Sequence, residues 1–273
     1  MPHIPHGVEG DKPMRLAHMI AQRGLCSRRL AEQWIIEGRV LFRGKPITDV
    51  AFQPPSDADI IVNGMPLPEP MPMRLFACYK PQRVLTTTRD PQGRRCLFDM
   101  LAPHYGRLGV RRLMAVGRLD YMSEGLLLLT NDGRLARFLE HPTHGLVRHY
   151  LVCVRGRLLE RASRAMRKGA MVQGFHYRPI FVEPCRSVSS LLPPYVVMGR
   201  QREGTQWLSA RLSEGKNREL RNVLAHWHMP VVRLIRVAFG GVSLPKKKMP
   251  VLWEIPQAVW HHMTSPVDVC GSQ

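Results

Sequence analysis

Apolar residues recur at helical spacing in two short stretches near the start of the chain. Leu16, Met19 and Ile20 share one face of residues 14–23, and Gly24 stops that segment. Leu30, Trp34 and Ile35 do the same in a second segment, 28–37. Ser27 suits its N-cap and Gly38 its C-terminal end. Residues 40–46 then read as a hairpin with Gly44 in the turn. Beyond residue 74 the pattern changes to short alternating or wholly apolar runs at 75–79, 126–130, 146–154, 195–198, 207–212 and 231–237. Helical spacing fits 134–140, 160–168 and 217–227, the last with Leu220, Val223, Leu224 and Trp227 on one face. The strands are not regularly separated by helices. The prediction is therefore an α+β fold with a largely antiparallel, mixed sheet flanked by helices and loops, not a doubly wound one.

Proline at 66, 68, 70 and 72 forbids a helix or a central strand between the two patterns. It predicts an extended linker at 67–73, with a small domain at 14–66 and a large one at 74–256.

Charge sharpens this division. Forty Lys and Arg against 21 Asp and Glu give a net charge of +19, which calls for a polyanionic partner. Residues 1–70 hold 8 basic and 8 acidic residues, so the whole excess lies beyond them. A membrane surface is the weaker choice of partner, since no apolar run approaches the roughly 18 residues of a span. Met1 to Pro13 lacks a hydrophobic signal core and carries Glu9 and Asp11, so the expected compartment is the cytoplasm. The cysteines at 26, 78, 96, 153, 185 and 270 form no CxxC pair, which argues against a zinc ribbon or a redox motif. His141, His144 and His149 have metal-like spacing, but Pro142 breaks the helix that would align the first two, and no metal site is expected. The scattered methionines read as core filler, and Lys246-Lys-Lys248 as a solvated basic turn.

The chemistry concentrates in Val116-Gly-Arg-Leu-Asp-Tyr-Met-Ser-Glu-Gly-Leu-Leu-Leu-Leu-Thr-Asn-Asp-Gly133. One carboxylate, Asp120, stands in a polar loop before a buried strand, and an Asn-Asp-Gly turn can cap the next helix. Taken alone, an aspartate in such a place is more often a loop or cap hydrogen-bonder than a catalyst.

Two resemblances change that weighting. Arg15-Leu16, Gly24-Leu-Cys-Ser-Arg-Arg29, Glu37-Gly-Arg-Val40, Gly44-Lys45 and Asp59-Ile-Ile-Val62 resemble an S4 RNA-binding domain. Gly117-Arg-Leu-Asp120 with Glu124-Gly-Leu-Leu-Leu-Leu-Thr-Asn-Asp-Gly133 resembles the catalytic motif of RsuA-type ribosomal RNA pseudouridine synthases. Three further segments agree in order. Tyr79-Lys-Pro81 with Val84-Leu-Thr-Thr-Thr-Arg-Asp90 is similar to the opening motif, and His149-Tyr150-Leu-Val to the strand of the active-site tyrosine. Glu214-Gly-Lys-Asn-Arg-Glu-Leu-Arg221 is similar to the third motif, with Leu234-Ile-Arg236, Gly240-Gly241 and Leu244 closing the series. Ser123 stands where the family commonly has threonine, and Asn222 where a second basic residue is usual.

The resemblance implies isomerisation of a uridine in ribosomal RNA to pseudouridine. The N1–C1′ bond breaks and C5 joins the same sugar carbon, with no redox change and so no cofactor. It implies Asp120 as nucleophile, Arg221 as its counter-charge and Tyr150 as the tyrosine stacking on a flipped base. RNA contacts are expected at Arg15, Arg28, Arg29, Arg39 and Lys45 in the small domain, and at Lys80, Arg118, Lys216, Asn217 and Arg218 in the large one. The form of 217–221 leans toward large-subunit (23S) RNA, with 16S RNA the other candidate. The expected partner is ribosomal RNA or a ribosome assembly intermediate, and the chain is expected to act as a monomer. Two alternatives are a noncatalytic S4-type assembly factor and another S4-bearing enzyme such as a methyltransferase. The filled Asp120, Tyr150 and Arg221 positions oppose the first. The lack of a glycine-rich nucleotide loop after a strand opposes the second.

Overall fold

The computed structural model describes residues 14–55, 59–197, 203–247 and 249–264. Its N-terminal part pairs helices α1 (Leu16–Gln22) and α2 (Arg28–Ile36) over a four-stranded sheet. The strands are β1 (Val40–Phe42), β2 (Lys45–Pro46), β3 (Ile60–Val62) and β4 (Met65–Pro66). Ser27 caps α2 as expected, its Oγ accepting from the Leu30 N–H at 3.2 Å. Leu16, Ile20, Ala31, Ile35, Val40 and Val62 close a core of their own, separate from the rest of the molecule.

The large part runs in the order β5 (Leu75–Lys80), α3 (Leu97–Leu101), β6 (Met114–Ala115), β7 (Glu124–Thr130), α4 (Gly133–Glu140) and β8 (Arg148–Arg155). Then come α5 (Glu160–Arg167), β9 (Ala170–Val172), β10 (Phe175–Tyr177), β11 (Ile180–Pro184), α6 (Val188–Leu191) and β12 (Thr205–Leu212). It finishes with α7 (Glu219–His226), β13 (Val231–Phe239), β14 (Val242–Ser243), β15 (Leu252–Ile255) and α8 (Gln257–Thr264). A nine-stranded sheet orders β11-β12-β8-β13-β7-β5-β15, with β14 beside β13 and β6 beside β7. Only the β13–β7 pair among these is parallel, so the sheet is mixed and largely antiparallel.

Both faces of this sheet are covered, which explains the unbroken leucine run. Leu127 and Leu129 enter the core under α3, α5 and α7, while Leu126 and Leu128 enter the one under α4 and α8. Gly125 sits where β7 crosses β13. A Cβ there would lie 2.3 Å from the Arg236 carbonyl oxygen, and its φ of +111° suits only glycine.

One expectation is corrected. Residues 195–197 form a turn, not a strand. Tyr195 packs edge-on against Tyr79 and donates to the Pro245 carbonyl at 3.0 Å, so its apolar neighbours cover the sheet without joining it. Strands β11 and β15 carry no strong pattern and were not foreseen, because alternation is faint in short sheet-edge strands. Met198, Lys248 and the acidic residues of the N-terminal segment lie outside the described residues.

Candidate active site

Asp120 lies in the loop between β6 and β7, held at both ends. The Gly117 N–H donates to Glu140 Oε1 at 2.8 Å, Thr86 Oγ donates to the Leu119 carbonyl at 3.0 Å, and the Ser123 N–H returns to the Asp120 carbonyl at 3.0 Å. Underneath, Lys80 Nζ donates to the Ser123 carbonyl at 2.7 Å. Lys80 is 0% exposed, which corrects its expected role: it props the Asp120 loop from inside and does not reach RNA. Burial draws its ammonium down to about 8, against the raising influence of Glu124, Cys78 and Asp120. Behind it, Glu124 takes hydrogen bonds from Tyr79, Gln82 and Arg233 at 2.6, 2.9 and 2.7 Å and so anchors the start of β7.

The Asp120 carboxylate faces two guanidiniums from the third motif. Arg221 Nε on α7 is 3.7 Å from Asp120 Oδ2, and Arg218 Nη1 is 3.9 Å from the same oxygen. Arg221 is fixed by its own donations to the Met122 carbonyl, Ser123 Oγ and the Val231 carbonyl. Its Nε is buried with no hydrogen-bond partner and lies beside the carboxylate. These distances give Coulomb attraction without hydrogen bonds, leaving the carboxylate oxygens free to approach a substrate.

Tyr150 sits at the same place, in the middle strand pairing of the sheet. It is opposite Ala210 on β12 and Arg236 on β13, and cross-strand partners share a face. One row along, Arg148 is opposite Leu212 and Phe239, with its guanidinium 4.5 Å over the Phe239 ring. These rows floor a cleft of about 280 Å³ that Asp120, Arg118, Lys216, Arg218 and Arg221 rim. Most large-domain candidates therefore converge on one opening. Asn217 is exposed in the same turn, between Lys216 and Arg218.

The small-domain candidates lie elsewhere. Arg15, Arg28, Arg29, Arg39 and Lys45 are all exposed. Arg28 pairs with Glu32 at 3.2 Å. Arg39 pairs with Glu37 at 3.0 Å, donates to Asn63 at 2.7 Å and stacks on Trp34. Of the histidines with metal-like spacing, His144 stacks on Phe138 and its Nδ1 lies 2.7 Å from the Phe138 carbonyl.

Four cleft residues carry no role in the sequence reading: Arg148, Arg236, Glu214 and Glu219. Arg236 is 2% exposed and donates to the Leu126 carbonyl at 2.8 Å, while its Nη2 is buried without an acceptor. Its place opposite Tyr150 depends on the register of β8 and β13, which no local pattern encodes. The glutamates stood inside a recognised motif, but only the fold shows that both are buried.

The family model for RNA pseudouridylate synthase matches residues 74–226, and that for the S4 domain matches 14–60. An uncharacterized RNA pseudouridine synthase of Rickettsia felis is 34% identical over 241 residues, 88% of this chain and 96% of its own. One of Mycobacterium bovis is also 34% identical, over 89% of this chain and 90% of its own. A crystal structure of a pseudouridylate synthase shares the fold with a TM-score of 0.60 at 22% identity, covering 92% of this chain and 99% of that one. A catalytic-domain match across more than half the sequence, with relatives aligned almost end to end, means that the chain belongs to the RNA pseudouridylate synthase family, as an S4-bearing, RsuA-type enzyme.

Proposed function

We propose that the enzyme isomerises one uridine of ribosomal RNA, in the large-subunit RNA, with Asp120 as nucleophile. The observation that carries this is the Asp120 carboxylate at the rim of the Tyr150-floored cleft, flanked by Arg221 at 3.7 Å and Arg218 at 3.9 Å. The paired cations give the carboxylate its counter-charge, and a carboxylate can serve as a nucleophile. Tyr150 lies where a flipped uracil would stack, and Arg118 where its phosphate would pass. Attack at C1′, attack at base C6 and a glycal route all use the same aspartate and all release the C5 proton.

The domains of this reading are 14–66 for capture through the exposed Arg15, Arg28, Arg29, Arg39 and Lys45, and 74–256 for chemistry, joined by 67–73. The enzyme works as a monomer in the cytoplasm, on ribosomal RNA or an assembly intermediate, without a cofactor. Among the described residues, no helix is long and apolar enough to cross a membrane. The test has two arms. Release of tritium from C5-labelled rRNA should stop in Asp120→Ala while RNA binding persists; turnover by that variant would sink the nucleophile. Pseudouridine mapping in a deletion strain should lose one site in 23S RNA; a site lost in 16S RNA instead would move the substrate to the small subunit.

A further inference from the structure

Two carboxylates of the cleft are not needed to hold Asp120. Glu214 and Glu219 flank the turn that carries Lys216, Asn217 and Arg218, and each is 3% exposed. Two buried carboxylates side by side cannot both ionise cheaply. Their partners are unequal. Glu214 Oε1 accepts from the Arg178 N–H at 2.7 Å, and its other oxygen lies 3.2 Å from Lys216 Nζ. Glu219 Oε2 accepts from the Lys216 N–H at 3.0 Å, but its Oε1 is buried and receives no donor. An ionised Glu219 would leave that oxygen unsatisfied next to a second negative charge. A protonated one satisfies it by donating to Glu214.

The turn depends on this pair. The Glu219 N–H donates to the Lys216 carbonyl at 3.2 Å, while the Glu219 side chain takes the Lys216 N–H. Between them Arg218 adopts a left-handed φ of 52°, which a non-glycine residue holds only under constraint. That conformation sends Arg218 toward Asp120 and starts α7, which carries Arg221.

We propose that Glu219 is a positioning residue that works as a neutral carboxyl: its proton, donated to the Glu214 carboxylate, closes the 216–218 turn and so sets Arg218 and Arg221 against Asp120. This rests on the reading of Asp120 as nucleophile. Burial, the Glu214 charge and the hydrogen bond between them push Glu219 up to about 8. Burial also tends to raise Glu214, but the Arg178 N–H, the bond from Glu219 and Lys216 outweigh it and hold Glu214 low. On the turn and α7 the facing charges are Lys216, Arg218 and Arg221. From the sheet they are Arg148 and Arg236, from the end of α4 Glu140, and from the loops Arg178 and Asp120. His176 and Tyr177 of β10 meet Lys216 from the outer side. The guanidiniums stay charged throughout the range tested.

The experiment compares wild type with Glu219→Gln, whose amide can donate to Glu214 as the carboxyl does. Single-turnover rates on C5-tritiated rRNA are measured from about pH 7 to about pH 9. The ratio of the Glu219→Gln rate to the wild-type rate should rise about fivefold or more across that range, because only wild type loses the proton. Glu219→Ala should be slow throughout. A flat ratio overturns the proposal, since Lys80 and the uracil titrate alike in both proteins. Infrared spectra of the unreacted wild-type enzyme provide a measurement that needs no variant. A protonated-carboxyl band should be present at neutral pH and vanish above about 8. Its absence at neutral pH overturns the proposal even if Glu219→Gln fails to fold. Asp120→Ala should retain the band, so turnover in that variant would count against the nucleophile alone.

Discussion

Arg221 is the residue whose chemistry is most tightly bound to that of Asp120. Its Nε has no hydrogen-bond partner and lies 3.7 Å from the carboxylate, while its other nitrogens are tied to backbone at 122 and 231. Arg221→Ala should lower the single-turnover rate about 10²-fold, the scale of losing one preorganised charge partner. Arg221→Lys should recover little, because an ammonium cannot reach both the loop and the carboxylate. Tyr150 offers a sharper division. If its hydroxyl moves a proton, Tyr150→Phe should lose about 10² or more in rate; a loss below about threefold assigns it to stacking alone. Glu219 has a consequence for stability as well as rate. The unfolded chain gives up this proton near 4.5, whereas the folded protein keeps it until about 8. The folded state therefore binds more protons in that window, and its stability falls as pH rises through it. Thermal melts of Glu219→Gln should show a shallower decline than wild type between those values; parallel curves would remove Glu219 as the cause.

At the scale of elements, the site depends on how closely β7 and β13 approach. Gly125→Ala would force a methyl to 2.3 Å from the Arg236 carbonyl oxygen and 2.7 Å from its nitrogen, both backbone atoms that cannot swing aside. The expected cost is at least about 2 kcal/mol, read as a lowered melting temperature. Activity should fall further than stability predicts, because Arg236 on the cleft floor moves with the strand. The same crossing explains why Glu124 begins β7 with three donors around it: the strand that follows the catalytic loop must start from a fixed point. In the small domain, Ser27→Ala should cost about 1 kcal/mol by leaving the first turn of α2 uncapped. That loss should weaken RNA binding through Arg28 and Arg29 without altering the rate on bound RNA.

The whole molecule joins a neutral part to a strongly basic one. Residues 1–70 carry 8 basic and 8 acidic residues, so the +19 of the chain lies in the part that holds the catalytic cleft. RNA capture should therefore weaken steeply with salt, log affinity falling linearly with log concentration. The two parts also touch. Arg111 Nη1 donates to the Glu69 carbonyl at 2.9 Å and the Arg23 carbonyl at 3.2 Å, and its Cβ lies 3.0 Å from where a Gly24 Cβ would stand. This clasp fixes where the S4 domain presents its basic face relative to the cleft. Arg111→Ala should raise KM on long rRNA roughly tenfold, as a tethered second contact loses its geometry, while kcat stays near wild type. An unchanged KM would show that the linker alone sets the orientation.

Local chemistry was enough to write much of this down from the sequence. The Ser27 cap, the Gly38 stop and the unbroken leucines after Glu124 each act over a few residues, and each segment folds as its own pattern dictates. The motif residues Asp120, Tyr150 and Arg221 were legible for the same reason, as short recognisable strings. Burial and register were not. Whether a lysine in Tyr79-Lys-Pro81 faces RNA or props a loop depends on what packs over it, and that packing comes from residues 120–124. Arg236 stands opposite Tyr150 only because β13 pairs antiparallel with β8 in this register. The proton proposed on Glu219 depends on folding, which removes both carboxylates from water. The sequence by itself determined which groups could do the chemistry; the tertiary structure decided their distances and solvation, because electrostatics in a closed cleft depends on both.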